Sequence, residues 1–265
     1  MTTLASPPLS DVRPDSTEYL AVVAARELAG ARRIFAGVGL PTLAVDLAKR
    51  TVNGDLELVY ESGVCGAHPE TMAEGIADFT LVSGAEAVLS MQALFGYVLQ
   101  GGNVDVGFLG AAQVDREGSL NTSVIGDWDQ PQVRLPGSGG AADIIASARE
   151  CFVVLRRHDL SSLPAEVDFC TSPSPVRAHR ASGHLAPTGG GVTTVITPLG
   201  VLRRDPDGPE LELAQVHAGV NVEEVRARTG WDLVVRDDLV TTPAPTVEDV
   251  RLLREEIDTV RLYLR

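Results

Sequence analysis

The chain has 265 residues, 44% hydrophobic and 22% charged, which is enough apolar mass to bury a substantial core. Its formal charge of −14 argues against nucleic acid and anionic membrane surfaces as partners, because both call for clustered cations. No apolar run approaches the roughly 18 residues of a membrane helix, the N-terminus lacks a secretory pattern, and Cys65, Cys151 and Cys170 form neither a disulfide framework nor a CxxC metal motif, so a cytoplasmic protein is expected.

Residues 1–15, rich in Ser, Pro and Thr, read as a mobile arm. Order begins at Ser16-Thr17-Glu18-Tyr19, a helix start followed by Leu20, Val23, Ala24 and Leu28 at helical spacing. A strand at Arg33–Ala36, a glycine turn, a helix over Thr42–Arg50 and a strand at Leu56–Tyr60 complete one strand-helix-strand unit. Further strands are expected at Phe79–Val82, Val104–Leu109 and Cys151–Leu155, with helices over Met91–Leu99 and Ala141–Arg149 between them. The Pro-, Ser- and Gly-rich stretch Asp168–Gly191 should cross the surface before Val192–Ile196 resumes the sheet. This alternation predicts an α/β fold, a largely parallel sheet flanked by helices, over residues 16–240. Residues 241–265 read as a linker, Thr241–Pro245, and an amphipathic helix whose stripe of Val250, Leu253, Ile257, Val260 and Leu264 needs either the body of the chain or a second subunit.

Three features can carry chemistry. Gly37-Val38-Gly39-Leu40-Pro41-Thr42 lies between strand and helix, where backbone N–H groups can hold an anion or the turn can simply pack the helix; Thr42 in place of a third glycine argues against a dinucleotide site. Pro136-Gly137-Ser138-Gly139-Gly140-Ala141 precedes a helix and can form an oxyanion hole or a structural turn, and its order is not that of a GxSxG nucleophile elbow. Glu61 follows a strand, at the sheet edge where α/β proteins hold ligands, among the mostly apolar Val59, Tyr60, Val64 and Cys65. The five histidines lack ligand spacing and no metal site is expected. Lys49, the only lysine, is a poor Schiff-base candidate. Cys65 fits a buried hydrophobe better than a nucleophile, and Asp127-Trp128-Asp129 a polar loop. Arg134, Gln100 and Gln113 are candidates for recognising a substrate carboxylate.

In this order the motifs resemble those of the β subunits of family I coenzyme A transferases. The GxGxP loop is followed by Glu61-Ser62-Gly63, then by Gly110-Ala111-Ala112-Gln113-Val114-Asp115-Arg116-Glu117-Gly118-Ser119-Leu120-Asn121, similar to the family's GAxQVDxxGNLN turn, and by the PGxGGA-like loop. Val167-Asp168-Phe169-Cys170-Thr171-Ser172-Pro173 resembles the VDFxTSPG stretch of glutaconate-type β subunits, and the likeness extends from about Thr17 to Val235.

The resemblance implies a fold related to the sugar-phosphate isomerases and a glutamyl-CoA thioester on Glu61. Gly139, Gly140 and the Asn121 amide would hold the oxyanion, with coenzyme A esters and carboxylic acids as substrates and no permanently bound cofactor. It also implies an α subunit, in a heterodimer or α2β2 assembly. Relatives that open rings hydrolytically lack this glutamate, so Glu61 favours transfer over a CoA-dependent hydrolase. A non-catalytic ligand-binding module of the same fold is the remaining alternative.

Overall fold

The computed structural model describes residues 12–183, 188–205 and 208–264. The expected N-terminal arm lies outside the described residues up to position 11, as do His184 and its neighbours through position 187. Helix α1 spans Thr17–Glu27, capped by Ser16, whose Oγ accepts the Tyr19 N–H at 3.2 Å. It is buried almost all round, since residues Tyr19 to Ala25 are at most 3% exposed. Strand β1 (Arg33–Ala36) leads through the glycine turn into α2 (Leu40–Thr51), which packs against α1. Then follow β2 (Glu57–Val59), β3 (Val64–Cys65) and β4 (Ala87–Val88).

Helix α3 (Met91–Ala93) continues as a π-helix over Leu94–Leu99. After β5 (Val106–Gly110), two small hairpins branch off: β6 (Gln113–Val114) with β7 (Leu120–Asn121), and β8 (Val124–Gly126) with β9 (Pro131–Arg134). The chain proceeds through α4 (Ala141–Ser147), β10 (Glu150–Val154), α5 (Pro175–Ser182), β11 (Val192–Ile196), β12 (Gly200–Arg204) and β13 (Leu211–His217). It closes with α6 (Val222–Ala227), β14 (Val235–Thr242) and α7 (Val247–Arg251).

Ten of these strands form one mixed sheet in the order β14-β13-β12-β11-β10-β5-β1-β2-β3-β4. Its centre, β11-β10-β5-β1-β2, is parallel throughout, so these strands all end at one edge. Helix α4 lies hard against that centre. A methyl group on Gly107 of β5 would overlap Ile144 Cγ2 of α4 and come within 3.0 Å of Cys151 Sγ. Only glycine permits so close an approach of helix to strand.

Three expectations require correction. Phe79–Val82 is a 3₁₀ turn, not a strand: Asp78 Oδ1 caps it by accepting the Thr80 N–H at 2.9 Å, only Leu81 is buried, and Phe79 is 89% exposed. The linker begins later than Thr241, since Thr241 and Thr242 finish β14 opposite Val216 and His217. The final helix is shorter than its apolar stripe. It starts at a capping box between Thr246 and Asp249, runs on as a π-helix over Leu252–Ile257, and stops at Asp258, whose carboxylate accepts the N–H groups of Leu262, Tyr263 and Leu264. Leu252, Leu253 and Ile257 pack into the chain's own core beside α2, whereas Val260 is left exposed. The stretch Asp168–Gly191 also holds a helix, α5, capped by Ser174 and with no fully buried residue.

Candidate active site

Glu61 and Ser62 form the tip of a tight hairpin between β2 and β3, closed by the Tyr60 N–H on Val64 O and the Gly63 N–H on Tyr60 O, both at 2.9 Å. Gly63 has φ +98°, and a side chain there would overlap Leu89 O, so the turn requires glycine. Tyr60 is fully buried and anchors the hairpin from below. The Glu61 side chain is consequently held half-buried at the C-terminal edge of the parallel strands.

A cleft of about 480 Å3 opens there, walled by the turn after β1, the ends of β5 and β10, and the glycine loop before α4. That loop meets the carboxylate directly. A Cβ placed on Gly140 would lie 3.3 Å from Glu61 Oε1, and one on Gly139 would lie 3.6 Å from it. The loop is held by Gly137, whose N–H donates to Thr122 O at 2.8 Å, and by Ala141, whose N–H donates to Ser138 O at 2.9 Å. Among the described residues the N–H groups of Gly139 and Gly140 have no acceptor. Phe95, from the π-helix, packs beside Glu61 against the same glycine: its Cζ would lie 2.7 Å from a Cβ on Gly140, and its ring packs edge-on against Phe35 with centroids 5.6 Å apart.

The chain aligns with the coenzyme A transferase family over residues 17–228. It belongs to that family. The β subunit of the 3-oxoadipate CoA-transferase of Pseudomonas knackmussii is 38% identical, across 90% of this chain and 92% of that protein. The structure of glutaconate coenzyme A-transferase from Acidaminococcus fermentans superposes with a TM-score of 0.86 at 27% identity, covering 96% of this chain and 98% of that one. The decarboxylase AibA/AibB is similar in fold, with a TM-score of 0.77 at 27% identity over 95% and 97% of the two chains. Within the family the chain is of the β type.

Other transferase motif residues have structural rather than exposed positions. Asn121 is fully buried, and its amide N–H groups go to Gln113 Oε1 at 2.8 Å and Val124 O at 2.6 Å, while its Oδ1 accepts from Ser123 and Val124. Both donor hydrogens are used, so the Asn121 amide has none to offer an oxyanion. Gln113 is 3% exposed and also accepts the Asp168 N–H at 3.0 Å, so it binds the two hairpins to the VDF stretch instead of facing substrate. Arg134 is exposed on β9, donating to Trp128 O at 2.5 Å with its guanidinium 4.5 Å from the Trp128 ring centre, outside the cleft. Gln100 is exposed at the end of the π-helix and does not line the cleft either.

Three further polar residues line the cleft that no sequence motif singled out. Thr122 adjoins Asn121 but turns the opposite way, as neighbours near a strand end do, and its Oγ1 is buried with no hydrogen-bond partner among the described residues. That alternation was available in the sequence. Arg156 emerges just past β10, and Tyr263 comes from the segment after the last helix, its hydroxyl donating to Ala73 O at 2.5 Å; neither had a local motif.

The remaining candidates are structural. Burial pushes the Cys65 thiol up, away from the reactive thiolate. His158 bridges Thr197 and Thr229, and His217 bridges Thr197 O and Thr242; burial lowers both to about 4, leaving them neutral. Among the described residues no group of three or more His, Cys, Asp or Glu side chains is arranged to hold a metal ion, and no helix is long and apolar enough to cross a membrane.

Proposed function

We propose that the chain is the β subunit of an enzyme that moves coenzyme A from an acyl-CoA to a free dicarboxylic or 3-oxo acid, with Glu61 as the nucleophile. The observation that carries this reading is the Glu61 carboxylate lying against the bare Cα atoms of a glycine loop whose Gly139 and Gly140 N–H groups are unpaired among the described residues. In the first step Glu61 attacks the thioester carbonyl, and the resulting oxyanion collapses to an acyl-glutamyl anhydride and a CoA thiolate. The thiolate then attacks the glutamyl carbonyl, releasing the free acid and leaving a glutamyl-CoA thioester. An acceptor carboxylate attacks that thioester to give a new anhydride and thiolate. Attack of the thiolate on the acceptor's acyl carbon yields the new acyl-CoA and restores Glu61.

Activation is conserved at every stage provided water is excluded. The Gly139 and Gly140 N–H groups are the available oxyanion donors, each contributing on the order of 10² to 10³ in rate, and the Thr122 hydroxyl, buried beside the cleft, is a weaker candidate. The substrate class follows the β-type relatives named for 3-oxoadipate and glutaconate. The subunit designation of these relatives likewise supports a separate α subunit that completes the site. Three free cysteines and the absence of a long apolar helix among the described residues fit a cytoplasmic enzyme.

The test is direct. The chain is co-expressed with an α-type subunit, incubated with acyl-CoA, treated with borohydride or hydroxylamine, and mapped by mass spectrometry. Modification at Glu61 is expected. An unmodified Glu61 together with full activity of Glu61→Gln overturns the assignment, and free CoA release that needs no acceptor acid identifies a hydrolase instead.

A further inference from the structure

Among the described residues only two charged side chains line the cleft, the Glu61 carboxylate and the Arg156 guanidinium. Arg156 lies two residues beyond β10, so it leaves the sheet at the same edge as Glu61. The two do not form an ion pair with each other, and no other described carboxylate pairs with Arg156. Its neighbour Arg157 is tied to Asp159 at 2.8 Å and to Ser161. Arg156 instead donates from Nη1 to Thr17 Oγ1 at 3.3 Å, on the first turn of α1. That contact steadies one side of the guanidinium, and its other N–H groups have no partner among the described residues.

The strand order β10-β5-β1-β2 separates the two residues by three strand spacings, about 14 Å at the backbone. Side chains reaching inward from both ends close much of that span and leave room for a short acyl chain between them. A planar guanidinium fork matches a carboxylate through two parallel hydrogen bonds. We propose that Arg156 is the specificity-determining residue of this site, binding the distal carboxylate of a diacid while its other end reacts at Glu61. The proposal rests on the function assigned above. It replaces Arg134, which is engaged with Trp128 outside the cleft.

A CoA phosphate presents the same anionic chemistry, so the experiment must separate the two. Using the α/β complex and one acyl-CoA donor, kcat/KM is measured for a diacid acceptor and for the monoacid of equal chain length. Arg156→Met is expected to lower the diacid-to-monoacid ratio by roughly 10- to 100-fold, chiefly through KM, the range that loss of a charge-assisted hydrogen bond produces. Arg156→Lys should restore part of it. An unchanged ratio overturns the proposal, whether both acceptors are unaffected or both fall together. If equal losses accompany a raised KM for the donor, the guanidinium serves a CoA phosphate. Adduct formation at Glu61 in the wild-type complex is scored separately: its absence defeats the parent function, whereas an adduct with an unchanged ratio defeats only the role of Arg156.

Discussion

The turn from Gln113 to Val124 and the loop from Pro136 to Gly140 both have the composition of ligand-binding segments, yet they use their polar groups in opposite ways. In the turn, the Asn121 amide and Gln113 Oε1 are spent on each other and on the backbone of Ser123, Val124 and Asp168. In the loop, the N–H groups of Gly139 and Gly140 are free of acceptors among the described residues, and the Cα atoms of both glycines lie against the Glu61 carboxylate. The boundary between the two behaviours falls between adjacent residues. Asn121 points into the protein and is saturated, whereas Thr122 borders the cleft and its buried hydroxyl has no partner among the described residues. A polar side chain is available for chemistry only when its hydrogen-bonding capacity is unspent.

The contrast can be broken most sharply at the carboxylate itself. Glu61→Gln preserves shape but removes the nucleophile, and transferase activity of the α/β complex should fall on the order of 10⁴-fold with the same thermal unfolding midpoint. Gly140→Ala inserts a methyl 2.7 Å from Phe95 Cζ and 3.3 Å from Glu61 Oε1. Pushing the Phe95 ring aside and crowding the carboxylate by a few tenths of an ångström should lower kcat by roughly 10-fold, measured under saturating acyl-CoA. Thr122→Val, nearly isosteric, should lower kcat by about 10-fold or more with little change in stability. Its neighbour should do the reverse. Asn121→Ala leaves buried backbone and side-chain groups unpaired, so a urea melt should show a loss of about 2–3 kcal/mol, with the activity of the folded fraction largely retained.

A pH effect tests a region outside both segments. His158 and His217 have pKa values lowered to about 4 from the ordinary 6.5, so the unfolded chain binds more protons between these values. Their stabilising contribution is complete above about pH 6.5 and is lost as pH falls toward 4, by up to about 1.4 kcal/mol per pH unit for each histidine. Urea melts at pH 7 and pH 5 should show this decline.

Local pattern made much of the architecture legible. The parallel core could be read because β1, β5 and β10 are short apolar runs separated by helices with clear spacing, and Glu61 and the glycine loop could be read because each sits at a strand or helix end. Phe79–Val82 looked equally strand-like, but Asp78 caps it into a turn and its side chains stay largely exposed. The role of Gln113 was illegible because one partner, the Asp168 N–H, lies 55 residues away. Arg156 and Tyr263 reach the cleft through tertiary placement alone, one from beyond a central strand and the other from a segment turned back by Asp258.

Gly107 has no functional group to contribute, yet it sets how deeply the helix behind the glycine loop can settle. A random screen for lost activity should therefore recover changes at this position alongside changes at Glu61. Such a variant would pass for a lesion of the chemistry, while its actual fault would be a misaligned foundation beneath an intact set of reacting groups.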